Sequence, residues 1–134
     1  MPKQVFIADD NKTVRNILKF VLTQRATDLE VCGEATNGVQ AVVKARALNP
    51  DLILLDLAMP EMNGAEAASI LKTAMPGVPI ILFTMYSQNV GKYLTSATGV
   101  DAVLSKPDGV TALLKAIDTV FASDSSQTDP TATV

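Results

Sequence analysis

Each of four short apolar runs delivers a residue that can do chemistry: Asp9 and Asp10 follow VFIA, Asp56 follows LILL, Thr84 follows IILF, and Lys106 comes after AVL and Ser105. A buried run that ends on a charge is costly unless the charge finds a partner or water. Asp56 is therefore either a solvated strand end or a carboxylate that something needs on a rigid support, and it leads into a loop held by Pro60 and Gly64. Three carboxylates placed together repel, and each resists ionisation unless a cation is near. An all-oxygen donor set without His or Cys selects a hard ion, and few protein ligands completed by water suit Mg²⁺ better than Ca²⁺. A hydroxyl and an ammonium are what the remaining oxygens of a tetrahedral anion need. Carboxylate nucleophiles that form aspartyl phosphates are established chemistry. Together the residues read as a magnesium-dependent phosphoryl site with Asp56 as nucleophile. Singly, each has a plainer reading. Asp9 and Asp10 serve as a cap and a dipole-compensating charge, Asp56 as a solvated end, Thr84 as a local hydrogen-bonding residue and Lys106 as a surface charge. What sets them apart is their arrival, in order, at one edge of one sheet.

That edge requires alternating strands and helices. Five apolar runs are strand candidates: Val5–Ala8, Glu30–Ala35, Leu52–Leu55, Ile80–Phe83 and Ala102–Leu104. The first, third and fourth are continuous rather than alternating, as strands covered on both faces of a parallel sheet are. Between them, Val14, Ile17, Leu18, Val21 and Leu22 keep the helical spacing, as do Ala67, Ile70, Leu71, Ala74 and Met75, and then Val110, Leu113, Leu114 and Ile117. Val39, Val42 and Val43 open a shorter helix ending near Asn49-Pro50, and residues 87–97 are the least periodic. Asn37-Gly38, Asn63-Gly64 and Asp108-Gly109 are helix-start or turn chemistry, and Pro76-Gly77 closes the third helix. Five β-α repeats predict one open, doubly wound α/β layer, and ligands of such sheets bind beyond the carboxyl ends of the strands. After Ala122 the chain turns to Ser, Thr and Asp, so residues 1–122 are expected to form the domain and 123–134 a disordered tail or the start of a linker.

Composition removes several alternatives. A 134-residue chain with 48% hydrophobic residues has enough for one sizeable core. No apolar stretch is long enough for a membrane span, and MPKQVFIADD is too short an apolar run for a signal peptide, which predicts a cytoplasmic protein. The absence of histidine excludes Ser–His and Cys–His catalysis and histidine zinc sites, and the single Cys32 excludes an internal disulfide. A net charge of −3 with scattered basic residues argues against direct nucleic-acid binding by this segment.

The motifs ADD, LLDLAMPEMNG, FT and SKP, in that order after strands one, three, four and five, resemble those of the receiver domains of bacterial response regulators, the chemotaxis regulators among them. The resemblance covers about Lys3 to Ala122. It implies a flavodoxin-like (βα)5 fold with strand order 2-1-3-4-5. It makes Asp56 the phosphoacceptor, with Mg²⁺ held by Asp10 and Asp56 directly, by the backbone carbonyl of Ala58, and by Asp9 mostly through coordinated water. Thr84 and Lys106 would bind phosphoryl oxygens, and the Lys106–Pro107 bond would be cis. The donor would be the phosphohistidine of a sensor histidine kinase or phosphotransfer protein, and hydrolysis would reset the switch. The output would pass to an effector protein or a fused effector domain, and the protein would catalyse nothing beyond its own phosphoryl transfer and dephosphorylation. The face around Lys92, Tyr93, Lys115 and Asp118 is a candidate homodimer surface.

Two positions depart from the family pattern. The switch aromatic expected three residues before the lysine is Val103, and Met85 stands where a small residue is usual. Met85 and Tyr86 are therefore candidate gates on access to the site, and with Ala58 offering no side-chain hydrogen bond to water they predict slow autodephosphorylation. Two rival functions can occupy a fold of this kind. An aspartyl phosphatase would need a second aspartate where Ala58 stands. A pseudo-receiver would keep the fold as a binding module without being phosphorylated.

Overall fold

The computed structural model describes residues 2–25, 28–85, 94–106 and 109–133, with Arg25 and residues 123–133 described by backbone alone. In chain order the elements are β1 (Lys3–Ala8), α1 (Lys12–Arg25), β2 (Leu29–Ala35), α2 (Gly38–Leu48), β3 (Leu52–Leu55), α3 (Gly64–Ala74), β4 (Ile80–Thr84), a helical turn α4 (94–98), β5 (Ala102–Ser105) and α5 (Gly109–Thr133). All strand pairs are parallel, and the order across the sheet is β2-β1-β3-β4-β5, as expected.

The continuous apolar runs are explained by where alternate residues go. Phe6, Ala8, Ile53, Leu55, Ile80 and Leu82 pack with Ala41, Ala45, Ala67, Ala68 and Leu71 of α2 and α3. Their neighbours Val5, Ile7, Leu52, Leu54, Ile81 and Phe83 pack with Leu18 and Leu22 of α1 and with Leu113 and Ile117 of α5. With helices on both faces, the strands can be apolar throughout.

Helix starts follow the expected chemistry. The Asn37 side chain accepts from Gln40 N at 2.8 Å. Asn63 and Glu66 form a reciprocal capping box at the start of α3. Two glycines set how closely the layers meet. Gly38 N donates to the Met62 carbonyl at 2.9 Å and Gly64 N to the Leu57 carbonyl at 2.8 Å, approaches that leave no space for a Cβ.

Some local expectations are corrected. On α2 the buried face is Ala41 and Ala45 with Val42 beside them, while Val39 and Val43 are exposed. The close approach of α2 to the β3–α3 loop leaves room for methyl groups rather than branched side chains. Ile17 and Ile70, although on helical period, lie at the margins of their stripes and are largely exposed. The backbone of α5 runs on through residues 123–133, the stretch expected as a disordered tail or the start of a linker. The Lys106–Pro107 bond, Tyr86, Lys92, Tyr93 and Asp108 lie outside the described residues.

Candidate functional site

Strand register brings the carboxylates together. Ala8 of β1 lies beside Leu55 of β3, so Asp9 and Asp56 are the next residues on neighbouring strands. Their backbones are anchored: Asp56 N donates to the Ala8 carbonyl at 2.9 Å, and Asp9 N to the Ala35 carbonyl at 3.1 Å. Carboxylate oxygens of Asp9, Asp10 and Asp56 all lie within 4.8 Å of one another. Asp9 and Asp56 are buried, at 2% and 6% exposure, while Asp10 faces solvent.

Lys106 reaches this cluster from the far end of the chain. Its Nζ lies 2.8 Å from Asp9 Oδ2 and 3.4 Å from Asp56 Oδ1. Burial first, and then the charge of Asp9, hold the Asp56 carboxyl above the usual carboxylate range, with Lys106 and the Ala58 backbone N–H opposing the rise. Burial works to lower the Lys106 ammonium, but its bond to Asp9 and the charge of Asp56 outweigh this and hold it above the ordinary lysine value. Thr84 ends β4 beside Ser105 of β5 and is 1% exposed. Met85, the next residue, is 64% exposed.

All five residues singled out from the sequence thus stand at the carboxyl ends of β1, β3, β4 and β5. The donor set is oxygen only, three carboxylates strong, and open to solvent on the Asp10 side, so the residues present suit a hard divalent ion that keeps part of its water. Sequence reasoning missed a second set of contacts. Arg15 Nη1 donates to the Asp9 carbonyl at 2.8 Å, and its Nε to Glu34 Oε1 at 3.0 Å. Asn11 N donates to Asp9 Oδ1 at 2.9 Å. Only an Asp-x-Asn turn followed by a helix hinted at the last; nothing local links Arg15 to Glu34.

Comparison with known proteins agrees with the geometry. Residues 5–118 match the family described as response regulator receiver domain. The response regulator protein VraR of Staphylococcus saprophyticus is 34% identical over 126 residues, which cover 93% of this chain and 59% of that protein. VraR of Staphylococcus aureus strain NCTC 8325 is 36% identical over 107 residues, covering 79% of this chain and 50% of that protein. The chain therefore spans between half and three-fifths of the length of these curated relatives. Among solved structures, a CheY-like receiver domain protein of Methanospirillum hungatei JF-1 superposes with a TM-score of 0.84 at 23% identity, over 95% of this chain and 99% of that one. The REC domain of AraT, a response regulator of Geobacillus stearothermophilus, gives 0.82 at 25% identity, over 96% and 99% of the two chains.

Proposed function

Starting from the fact that this chain belongs to the response regulator receiver domain family, we propose that it is a phosphorylation-activated switch of a two-component system with Asp56 as phosphoacceptor. The observation that carries the proposal is the convergence of Asp9, Asp10 and Asp56 with Lys106 on two of them. An Asp56 carboxylate oxygen attacks the phosphorus of a partner's phosphohistidine. The O–P bond forms as the P–N bond breaks, and the imidazole leaves on the partner. Mg²⁺ held by Asp10, Asp56 and the Ala58 carbonyl, and by Asp9 mostly through water, would offset the charge of the transferring group. The Thr84 hydroxyl and the Lys106 ammonium donate to phosphoryl oxygens, for which Lys106 gives up its bond to Asp9. Water attacking phosphorus later returns Asp56 to a carboxylate and releases phosphate.

Drawing Thr84 and Lys106 toward Asp56 moves the ends of β4 and β5 and reshapes the surface that continues into α5, which shifts an existing equilibrium toward the partner-binding state. Met85, mostly solvent-exposed beside Thr84, stands as a gate that slows entry of water. On this reading the switch unit ends near residue 122, the donor is a sensor histidine kinase or phosphotransfer protein, and the output goes to an effector protein or fused effector domain. Among the described residues no helix is long and apolar enough to cross a membrane.

Intact-protein mass after incubation with Mg²⁺ and a small phosphoryl donor tests the proposal. A gain of one phosphoryl group, dependent on metal and absent from Asp56→Asn, is expected. No gain in either the wild type or Met85→Ala, in which the gate is removed, would overturn it in favour of a binding module that is never phosphorylated.

A further inference from the structure

We propose that Arg15 is a positioning residue for the acidic cluster, holding the Asp9–Asp10 peptide in the orientation that presents both carboxylates to a divalent cation, with Glu34 as the support that holds Arg15. The inference rests on the magnesium site proposed above.

The guanidinium is largely buried, its side chain 13% exposed, and it makes two bonds at different angles. Nη1 donates to the Asp9 carbonyl and Nε to Glu34 Oε1. Glu34 is itself held: Lys19 Nζ lies 2.8 Å from its other carboxylate oxygen, and Lys44 Nζ donates to its backbone carbonyl at 3.2 Å. Glu34 at the end of β2, braced by Lys19 of α1 and Lys44 of α2, thus fixes the Arg15 guanidinium.

The carbonyl that Arg15 holds belongs to the peptide that carries the Asp10 nitrogen. Rotation of that peptide would swing Asp10, whose side chain faces solvent, and would tilt Asp9, whose Oδ1 and Oδ2 are already committed to Asn11 N and Lys106 Nζ. Tying α1 to β2 is not the point of the contact, because Lys19 already does that. Arg15 alone among these cations touches the site. A planar fork bridges two acceptors at a fixed angle, and a lysine ammonium in the same place would not.

Partners of this kind, one step removed from the ligands, commonly set metal affinity by 10- to 100-fold. The test titrates the full chain with Mg²⁺, without any phosphoryl donor, and follows the rise in thermal midpoint that binding to the native state produces. Wild type, Arg15→Met, Arg15→Lys, Glu34→Gln and Lys72→Met are compared. Lys72 is a matched control, 16% exposed and 2.8 Å from Asp101 Oδ2, and it braces the start of β4 at the opposite end of the sheet. The half-saturating Mg²⁺ concentration is expected to rise about tenfold in Arg15→Met and also in Arg15→Lys, and to shift less, in the same direction, in Glu34→Gln. Lys72→Met should lower the metal-free midpoint and leave half-saturation unchanged. If Arg15→Met does not fold, Arg15→Lys and Glu34→Gln carry the comparison. Arg15 variants that saturate like the wild type, or a Lys72→Met shift equal to theirs, would overturn the inference. A wild type whose midpoint ignores Mg²⁺ would overturn the proposed metal site and this inference with it.

Discussion

Alanine substituted at Gly64 and at Gly77 should have opposite effects, although the chemical change is the same. A Cβ at Gly64 would lie 2.1 Å from the Asp56 carbonyl oxygen and 2.9 Å from its carbon, whereas real Cβ contacts essentially never fall below 3.0 Å. The oxygen must therefore give way by about 0.9 Å, from 2.1 to 3.0 Å. It is backbone, and the same loop is tied back by Gly64 N on the Leu57 carbonyl, so no side-chain rotation relieves the clash. Overpacking of this kind costs about 1–3 kcal/mol. At Gly77 nothing lies within 4 Å of the added carbon and φ is outside the left-handed region. Alanine there only restricts the unfolded chain and is worth about 0.4–1 kcal/mol of stability.

With a urea slope of about 2 kcal/mol/M, a 2 kcal/mol loss moves the unfolding midpoint down by about 1 M. Gly64→Ala should unfold that much earlier than the wild type, and Gly77→Ala later by about 0.2–0.5 M. Because the displaced oxygen belongs to Asp56, Gly64→Ala should also accept a phosphoryl group more slowly at a given Mg²⁺ concentration. A Gly64→Ala midpoint indistinguishable from wild type would refute the reasoning. It would mean that the loop behind Asp56 yields freely and does not support the carboxylate rigidly.

Glu34 carries a pH dependence. The hydrogen bond from Lys19 first, and that from Arg15 after it, hold its carboxyl below the ordinary 4.5 despite the opposing effect of burial. A depressed carboxylate stabilises the fold above its unfolded value and loses that contribution as pH falls through the folded one. The stability gap between wild type and Glu34→Gln should therefore be full at about pH 6 and shrink toward about pH 3; a gap constant across that range in urea unfolding would contradict the ion-pair account. Met85→Ala should shorten the lifetime of the phosphorylated form while changing stability by less than about 0.5 kcal/mol, since the side chain is mostly in solvent. An unchanged lifetime would remove Met85 as a gate.

The strands and the placement of Asp9, Asp10, Asp56, Thr84 and Lys106 were legible because both depend on local pattern. A continuous apolar run marks a strand covered on two faces, and in a parallel sheet every such strand delivers its next residue to the same edge. The α2 face was not legible in the same way. Its apolar period points to Val39, Val42 and Val43, yet the choice between branched residues and alanines is made by how closely Gly38 lets α2 approach the Met62 carbonyl. Arg15 and Glu34 were invisible for a different reason. They are 19 residues apart on separate elements, and a polar residue beside an apolar helical stripe looks the same whether it faces water or a carbonyl.

Lys106, 3.4 Å from Asp56, offsets part of the cost of ending a buried strand on that carboxylate, while burial and the charge of Asp9 still hold its carboxyl above the usual range. When all are ionised, Asp9, Asp10, Asp56 and Lys106 carry three negative charges and one positive. A divalent cation would bring that cluster to neutrality, and a phosphoryl group added to Asp56 would make it negative again. Lys106 is then in demand at the new anion, and its present bond to Asp9 is what it has to leave. In a relay through an aromatic, the motion of that lysine's neighbourhood would be passed on by a ring three residues earlier. Here that place is taken by Val103, half-buried against the core cluster that also holds Leu82, Leu94 and Val100. A valine has no ring to swing between inward and outward positions. On the proposed reading, coupling from Asp56 to the partner surface runs either through displacement of the β4 and β5 ends themselves, carried by Thr84 and Lys106 as they close on the phosphoryl group, or through another side chain such as Tyr86 or Tyr93 in place of the ring.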